Sequence, residues 1–482
     1  MPDAVVVGAG PNGLAAALVL ARAGLEVEVR ERAGTVGGAA STRELTLPGH
    51  WHDVGSAVHP MALASPFFRA LDLPALGVEL LQPEVAYAHP LDGARAALAL
   101  RDLDATADGL GADGPAWRGL LGPLVRRWRE VVDLALGDLR HPAPRPAAAL
   151  RLALAVAEQG GPAWGARFSA DLAPALLTGV AAHAVAPPRA PGPAGAGLLL
   201  ATLAHAVGWP VPRGGSQRIS DALAGEVRRL GGRVVLDAPV TSLAELPPAR
   251  AVLLDVLPGA LARMAPGLPS GYAAHLRRWR HRSAASPVHF VLDGPVPWAA
   301  PGVDRAGTVH VGGPRGEVVA AERDVAAGRH ARRPYVLLSQ PSLLDGGRAP
   351  AGRSTLWTYA HVPFGSTLDV GEAVQRQVER FAPGFSDRVL HRTAVPAVEL
   401  ERGNPNLPGG DVTGGAVTPW QLLARPVPRW DPYRTPLEGV YLCSAATPPA
   451  SGVHGMCGVH AARRALRQRF GIVVGPDGLT PG

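Results

Sequence analysis

The 482-residue chain contains no lysine, because all 47 of its basic side chains are arginine. This absence excludes enzymes that form a Schiff base through a side-chain amine, including pyridoxal-phosphate enzymes. It also excludes P-loop nucleotide hydrolases, whose phosphate-binding loop ends in a lysine. Arginine cannot replace lysine in these roles, because its guanidinium group stays protonated at any working pH.

Cysteine and long apolar runs are scarce as well. The two cysteines, Cys443 and Cys457, are too few for a disulfide framework, so we expect a reducing, cytoplasmic location. The longest strongly apolar stretch, residues 194–207, is too short to cross a bilayer and carries a histidine. We therefore expect neither a signal peptide nor a membrane span. No group of His, Cys, Asp or Glu has metal-ligand spacing, and no Gly-x-Ser-x-Gly elbow occurs.

Small and apolar residues dominate the composition. Apolar residues make up 47% of the chain and charged residues 18%, which is typical of a globular protein. The 59 glycines and 49 prolines indicate a fold rich in turns and loops. The net charge of +7 is small for this length, and the arginine clusters lack aromatic interleaving. They favour solvated helix faces over a nucleic-acid surface, and the oligomeric state stays open.

The amino terminus has the pattern of strand, glycine turn and helix. The β-branched strand Ala4–Val7 is followed by Gly8, Gly10 and Gly13 in the spacing GxGxxG, and then by an alanine- and leucine-rich helix over 14–23. The first glycine permits the tight turn, the second lets the backbone approach a pyrophosphate, and the third lets the helix pack closely on the sheet. The helix N-terminus then directs unpaired N–H groups at the phosphates.

A carboxylate stands where a ribose hydroxyl is expected. The second predicted strand, 25–30, ends at Glu31, eighteen residues after Gly13. At this position a carboxylate accepts hydrogen bonds from a ribose 2′-OH, and its charge argues against a 2′-phosphate. A second glycine pair, Gly37 and Gly38, allows another close approach of the backbone to a large cofactor. These features predict a Rossmann dinucleotide site.

Two later segments are predicted to return to this site. The pattern over 217–230 predicts a helix, followed by strands at 233–236 and 240–243. Near the carboxyl end, a strand at 440–444 leads through a glycine-rich turn into a final helix over 459–470. A glycine-rich turn at a helix start again presents backbone N–H groups and the positive end of a dipole.

The amino-terminal unit resembles the large class of FAD oxidoreductases that includes amine oxidases and phytoene desaturases, which read GxGxxG, acidic residue, then Gly-Gly. Internal blocks narrow the resemblance to the bacterial phytoene-dehydrogenase-like NAD(P)/FAD-dependent oxidoreductases, and these blocks lie at 293–298, 306–313, 339–342, 361–363 and 404–411. One departure is clear. Where this branch carries a lysine-containing block, the chain reads Ser286-Pro287-Val288-His289.

The resemblance implies FAD as the cofactor, with Val240 meeting the adenine and the turn before the last helix facing the pyrimidine edge of the flavin. The expected cofactor-binding residues are Gly8, Gly10, Gly13, Glu31, Arg32, Gly37, Gly38, Val240, Gly455 and Met456. No metal site is expected.

The resemblance also implies an α/β fold, with a Rossmann-type FAD-binding domain of the glutathione-reductase and amine-oxidase class. A discontinuous α+β substrate domain, with a mixed sheet plus helices, completes it. The expected boundaries are 1–68, 208–262 and 425–474 for the FAD-binding domain, 69–207 and 263–424 for the substrate-binding domain, and 475–482 for a flexible tail.

The expected chemistry is hydride transfer from a small, lipophilic substrate to the flavin. Apolar helices and a loop at 185–197, long enough to act as a lid, support this prediction. Because lysine is absent, a proton acceptor would be a histidine. His454, in the flavin-facing turn, is the catalytic candidate, and His59, His310 and His361 lie in family blocks.

Two alternatives stay open. In the first, the protein binds a flavin without net redox turnover. It is then a flavin-dependent isomerase, or a scaffold that docks on partners or anionic membranes through arginine faces such as the helix at 459–470. A lysine-free amine oxidase is the other alternative. Oxygen, a quinone and a carrier protein stay open as the electron acceptor.

Overall fold

The chain forms two main β-sheets with helices packed around them, in a computed structural model that describes residues 1–137 and 145–481. The strands are β1 (Ala4–Val7), β2 (Val27–Arg30), β3 (Thr42–Glu44), β4 (Trp51–Asp53), β5 (Leu80–Leu81), β6 (Val85–Leu91), β7 (Arg95–Leu100), β8 (Val211–Pro212), β9 (Arg233–Val235), β10 (Ala251–Leu254), β11 (Ser283–Leu292), β12 (Ala306–Val311), β13 (Val336–Ser339), β14 (Ser354–Pro363), β15 (Val389–Ala394) and β16 (Val440–Leu442).

The helices alternate with these strands and form a separate group in the middle of the chain. They are α1 (Pro11–Arg22), α2 (Pro60–Ala64), α3 (Pro66–Leu71), α4 (Leu103–Gly109), α5 (Gly114–Arg126), α6 (Trp128–Ala135), α7 (Pro146–Gly160), α8 (Leu172–Ala181), α9 (Pro191–Ala206), α10 (Gln217–Arg229), α11 (Pro258–Met264), α12 (Ser270–Arg277), α13 (Arg315–Ala326), α14 (Gly371–Glu379), α15 (Phe385–Arg388), α16 (Ala397–Gly403), α17 (Pro419–Leu423) and α18 (Met456–Ala465).

The first sheet is parallel, with its five strands in the order β16-β10-β1-β2-β9. Its central strand β1 is a continuous apolar run because both of its faces are covered. Ala4 and Val6 pack with α1, α10 and α18, whereas Val5 and Val7 pack on the other face with α11 and α12. Since all five strands run the same way, the residues that follow them meet at one edge of the sheet.

The second sheet is mixed, with its seven strands in the order β15-β11-β14-β13-β12-β6-β7. Only the β12–β6 pair is parallel among these described strands, and the long partners β11 and β14 pair antiparallel over ten residues each. Helices α7 and α8 each pack against α9, and α8 and α9 contact this sheet. The predicted combination of a Rossmann-type parallel sheet with a mixed sheet plus helices is therefore present.

Most predicted elements begin and end within three residues of their expected bounds. The last helix, α18, ends at Ala465 and continues as a π-helical turn, Leu466–Phe470. Two elements do not form as expected. The expected strand at 240–243 is absent, because residues 236–242 run as a connection in which Thr241 N–H bonds to Glu245 instead of to a neighbouring strand. The expected lid at 185–197 is shorter, since α9 already begins at Pro191, where proline suits the first helical turn.

The carboxyl-terminal tail was expected to be flexible, and its described part, 475–481, forms a hydrogen-bonded turn. Asp477 accepts bonds from the N–H groups of Leu479 and Thr480, and a short bridge joins Val474 to Pro481. The domain boundaries themselves stay a prediction. Within the described ranges, no helix is both long and apolar enough to cross a membrane.

Candidate functional site

The predicted glycine turn lies at the carboxyl edge of the parallel sheet, between β1 and α1. Gly8 has a φ of 97°, which favours glycine, and its N–H bonds to the carbonyl of Arg30 at 2.8 Å. A methyl group on Gly13 would lie 2.1 Å from the carbonyl oxygen of Gly8, so this position admits no side chain. Helix α1 begins at Pro11 with Gly10 as its N-cap and no side-chain cap. The turn is thus a cradle of bare backbone at a helix N-terminus.

Glu31 lies beside this turn, as the sequence predicts. Its two carboxylate oxygens accept hydrogen bonds from the N–H groups of Ala9 at 2.7 Å and Ala33 at 2.9 Å. The side chain is buried, whereas that of the neighbouring Arg32 is exposed. The carboxylate therefore ties the end of β2 to the glycine turn.

The second glycine pair also reaches the first turn. The N–H of Gly37, which has a φ of 117°, donates to the carbonyl of Ala9 at 2.8 Å. A methyl group on Gly38 would lie 3.6 Å from the Cα of Gly10. Two glycine turns separated by more than twenty residues are thus stacked together, with Glu31 between them.

Val240 follows the strand that pairs with the end of β2, and its expected contact with an adenine stays a prediction. It lies in the connection after β9 and packs, partly buried, with the cluster that holds Val5 and Val7. The residues that meet Glu31 from this direction are Val235, whose carbonyl accepts the Glu31 N–H at 2.9 Å, and Ala238, whose N–H donates to the Glu31 carbonyl at 2.8 Å. These two bonds hold the connection after β9 against the end of β2.

The turn before α18 reaches the same region from the carboxyl end. Gly455 has a φ of 72° and caps α18, and Met456 is the first residue of the helix. A methyl group on Gly458 would lie 1.9 Å from the carbonyl oxygen of Asn12, so α18 and α1 are in close contact near their starts. The structure therefore brings two helix N-termini together, which is an arrangement suited to anionic groups.

His454 has no free ring nitrogen in this turn. The Met456 N–H donates to its Nδ1 at 3.0 Å, so Nε2 carries the hydrogen and donates to the Ala450 carbonyl at 3.1 Å. Burial lowers the pKa of His454 to about 4, which keeps the ring neutral. The geometry indicates that this candidate base shapes the turn instead of accepting a proton.

Asp255 belongs to the site and was missed by sequence reasoning. It follows β10 directly, and its carboxyl group accepts the Gly13 N–H at 3.0 Å, close to the space in front of Gly10. Burial is the main cause that raises the pKa of Asp255 to about 7; the Gly13 hydrogen bond opposes this rise, and the nearby Glu31 adds to it. Its position after a central parallel strand is the signal that would have identified it.

A cavity of about 890 Å³ lies between the mixed sheet, the helices α7 and α9, and the segments 54–61 and 449–454. Its walls are mostly apolar. The described residues that line it include 54–61 and 449–454 from the side of the parallel sheet, parts of α7 and α9, and Ala285, Pro287, Leu337, Trp357 and Tyr359 from the mixed sheet. The segment that leads into α18 therefore contributes one wall of the cavity.

Among the polar side chains of this lining, His59 and His183 each have a hydrogen-bonded partner behind them. His59 Nε2 bonds to Ser216 Oγ at 2.7 Å, and burial lowers the pKa of His59 to about 4. His183 Nε2 bonds to His310 Nε2 at 2.9 Å, and burial lowers the pKa of His183 to about 3. Both rings are therefore neutral, weak bases at pH 7.

The backbone just after His183 has an unusual conformation. It lies in a short 3₁₀ turn, Ala182–Ala184, that ends at Val185 with a φ of 50°. A β-branched residue in the left-handed region is strained, and such strain persists where the surroundings demand it. Gly179, one turn earlier, leaves room for His310, since a methyl group there would lie 2.9 Å from the His310 Cβ.

The remaining histidine candidates lie outside the cavity lining. His310 is fully buried behind His183, and burial lowers its pKa well below the ordinary value. His361 Nδ1 bonds to Glu322 Oε1 at 2.5 Å inside the mixed sheet. The departure block 286–289 forms part of β11, with His289 buried against His52. No group of three His, Cys, Asp or Glu among residues 1–137 and 145–481 could hold a metal ion.

Comparison with known proteins agrees with this architecture. A family model described as NAD(P)-binding Rossmann-like domain matches residues 6–71. The chain is 27% identical over 557 aligned positions to pyridine nucleotide-disulfide oxidoreductase domain-containing protein 2 of Rattus norvegicus, covering 96% of this chain and 93% of the rat protein.

Several solved oxidoreductase structures share this fold. A putrescine oxidase triple mutant made to redesign cofactor binding superposes with a TM-score of 0.59 at 19% identity, covering 96% of this chain and 97% of the oxidase. An oxidoreductase from Methanosarcina mazei superposes with a TM-score of 0.58 at 17% identity, covering 95% and 98% of the two chains. The predicted fold class is confirmed as the Rossmann-like, FAD-binding amine-oxidase type with a mixed sheet and helices.

Proposed function

We propose that this protein is an FAD-dependent oxidoreductase that removes hydride from a lipophilic substrate bound in the 890 Å³ cavity. The observation that carries the proposal is that one segment belongs both to the cavity wall and to the turn before α18. Residues 449–454 line the cavity and lead directly into α18, whose start lies against the start of α1 at the glycine turn. A substrate in the cavity therefore borders the segment that connects it to the dinucleotide site.

The residues at the glycine turn fit a dinucleotide. The turn carries no side chain at Gly8, Gly10 or Gly13, and a Cβ at these positions would crowd the Gly8 carbonyl or Asp255. The side-chain oxygen of Asn12 in the first turn of α1 is buried and has no partner among the described residues. Two convergent helix N-termini favour the phosphates of such a cofactor.

FAD is the member of this cofactor class that the resemblance and the flavin-oxidoreductase fold neighbours support. When bound, the flavin supplies the hydride-accepting chemistry, and the protein positions the substrate and excludes water. Here the apolar walls exclude water, and His183 presents a neutral imidazole backed by His310. Because the pKa of His183 is lowered to about 3, it is better suited to hydrogen bonding with a substrate than to removing its proton.

Dehydrogenation or desaturation of a carbon–carbon or carbon–heteroatom single bond is the reaction we favour, in line with the resemblance to phytoene-dehydrogenase-like proteins. The family's lysine block is replaced by Ser286-Pro287-Val288-His289 in β11, which supports a reaction that needs no amine. The cofactor-binding assignments are part of this proposal, and they comprise Gly8, Gly10, Gly13, Glu31, Arg32, Gly37, Gly38, Val240, Gly455 and Met456.

The test is optical. Purified protein is expected to show a flavin absorbance band at about 450 nm, which is typical of bound flavin. Anaerobic mixing with lipophilic alcohols and alkenes is expected to bleach this band, whereas putrescine and cyclohexylamine leave it unchanged. Bleaching by the amines alone would point to a lysine-free amine oxidase. Product formation without bleaching would point to an isomerase, and protein without bound flavin would refute the proposal.

A further inference from the structure

Arg425 is a buried cation in the wall of the apolar cavity. Its side chain is 2% exposed, and it lies between α17 and β16. Nη2 donates to the carbonyls of Ala445 at 2.9 Å and Gly414 at 3.4 Å, and Nε donates to the carbonyl of Ala446 at 3.4 Å. In the described part of the chain, Arg425 belongs to no ion pair, and Nη1 has no hydrogen-bond acceptor.

A buried arginine without a carboxylate partner is unfavourable unless something else compensates its charge. Burial lowers the pKa of Arg425 to about 10, so the group still carries its charge at pH 7. The three main-chain carbonyls hold the guanidinium in place, and the Trp279 ring lies 5.6 Å from it. Asp411 interacts with the charge from further away and forms no ion pair with it among the described residues. The protein therefore keeps a fixed cation with one nitrogen available at a surface that a ligand can reach.

The surroundings of this cation are apolar. Val412, Val417 and Leu422 line the cavity with Arg425, and α7 and α9 extend the apolar lining. The other formally charged residue in the described lining is Asp133, which is exposed to solvent. A ligand that fits both the apolar lining and the buried cation has an apolar body and one anionic end. A guanidinium forms strong pairs with a carboxylate.

We propose that Arg425 binds the carboxylate of an amphipathic substrate whose apolar body occupies the cavity. This inference rests on the proposed function, because it takes the cavity as the substrate site, and it deepens it by naming the substrate class. The competing source of negative charge is the cofactor, because Arg425 also lies near Cys457 in the first turn of α18. The experiment separates the two.

The test compares dodecanoate with 1-dodecanol, which has a chain of the same length and no charge. Trp209 and Trp357 line the cavity, so intrinsic tryptophan fluorescence reports binding to the purified full-length protein. A charge-assisted hydrogen bond in a dry site predicts that dodecanoate binds about 10- to 100-fold more tightly than dodecanol. R425Q is expected to remove this preference while changing dodecanol binding less than about 3-fold, and R425K is expected to retain part of it.

Arg315 supplies the matched control. It is another partly buried arginine that belongs to no ion pair of the described residues, and burial lowers its pKa to about 10, but it lies outside the cavity lining. R315Q is expected to keep the full preference for dodecanoate. If R315Q loses it as R425Q does, the effect is a general loss of structure and the inference fails.

Equal affinity of the wild-type protein for dodecanoate and dodecanol would overturn the inference without any variant. So would an R425Q protein that keeps the dodecanoate preference but loses its flavin absorbance, because Arg425 would then serve the cofactor. If R425Q does not melt cooperatively, the wild-type comparison and R425K decide. Wild-type protein that prefers dodecanoate but contains no flavin would refute the proposed function and leave the carboxylate site standing.

Discussion

Gly13 is the position at which a single methyl group should do most damage to the dinucleotide site. It is the third residue of α1, and a Cβ there would lie 2.1 Å from the carbonyl oxygen and 3.1 Å from the carbonyl carbon of Gly8. These atoms belong to the main chain of the turn, so no change of rotamer relieves the contact. Either α1 moves away from β1 or the turn opens.

Two costs add in Gly13→Ala. Overpacking of a closely packed interior costs about 1–3 kcal/mol. The displacement also lengthens the 3.0 Å bond from the Gly13 N–H to Asp255, and a hydrogen bond to a charged acceptor contributes about 1.5–3 kcal/mol at a pH where the carboxylate is ionised. We therefore expect Gly13→Ala to lower the free energy of unfolding by about 3 kcal/mol or more and to abolish flavin binding.

Gly225 in α10 provides the matched control. It is also a helical glycine, but it is exposed and has no atom within 4 Å of a Cβ built on it. Gly225→Ala should raise stability by about 1 kcal/mol because alanine has the higher helix propensity. Urea unfolding at pH 8, together with the flavin absorbance of the purified proteins, measures both effects. If Gly13→Ala is as stable as Gly225→Ala, or retains its flavin, the close-approach argument is wrong.

Two further predictions concern buried charge. Arg348 is buried between Asp53 at 3.1 Å and Asp345 at 3.0 Å, so Arg348→Met should lower the free energy of unfolding by about 3–5 kcal/mol because it leaves two buried carboxylates unpaired. In the same urea unfolding experiment Arg376→Met, on the surface, should cost less than about 0.5 kcal/mol, and equal effects of the two changes would contradict this. Burial lowers the pKa of several histidines to about 4 or below, namely His59, His89, His183, His205, His289 and His454. Above about pH 6.5 these rings are neutral in both the folded and the unfolded chain, so stability is highest there. As the pH falls from 6.5 toward 4, the unfolded chain binds protons that the folded protein does not, and each ring lowers the free energy of unfolding by about 1.4 kcal/mol per pH unit. His205→Gln should reduce that slope by one proton in pH-dependent urea unfolding, and an unchanged slope would refute the assignment.

The local part of the dinucleotide site was predictable because its residues are close in sequence. Gly8, Gly10 and Gly13 lie within six residues, and Glu31 follows the next strand, so strand and helix geometry place them together. The end of β10 was not recognised, although the same rule applies to it. Asp255 is separated from Gly13 by 242 residues, and only the pairing of β10 with β1 shows that they meet.

The histidine and arginine of the cavity show a different limit. His183 and Arg425 occur in unremarkable alanine- and proline-containing segments, and no spacing marks them as neighbours of a cavity. Conversely, His454 has a favourable place in the sequence, yet both of its ring nitrogens bond to the main chain. Whether a side chain faces a ligand depends on which neighbours satisfy its polar atoms, and those neighbours come from distant parts of the chain.

The sequence by itself determined the Rossmann turn, the class of fold and the exclusion of lysine chemistry, because each of these depends on residue type and short-range spacing. Only the tertiary structure decided that Asp255 shares the glycine turn and that Arg425 lies buried in the wall of an apolar cavity. The physical reason is that burial and charge pairing are properties of packed surfaces. They arise where strands and helices far apart in the sequence exclude water together.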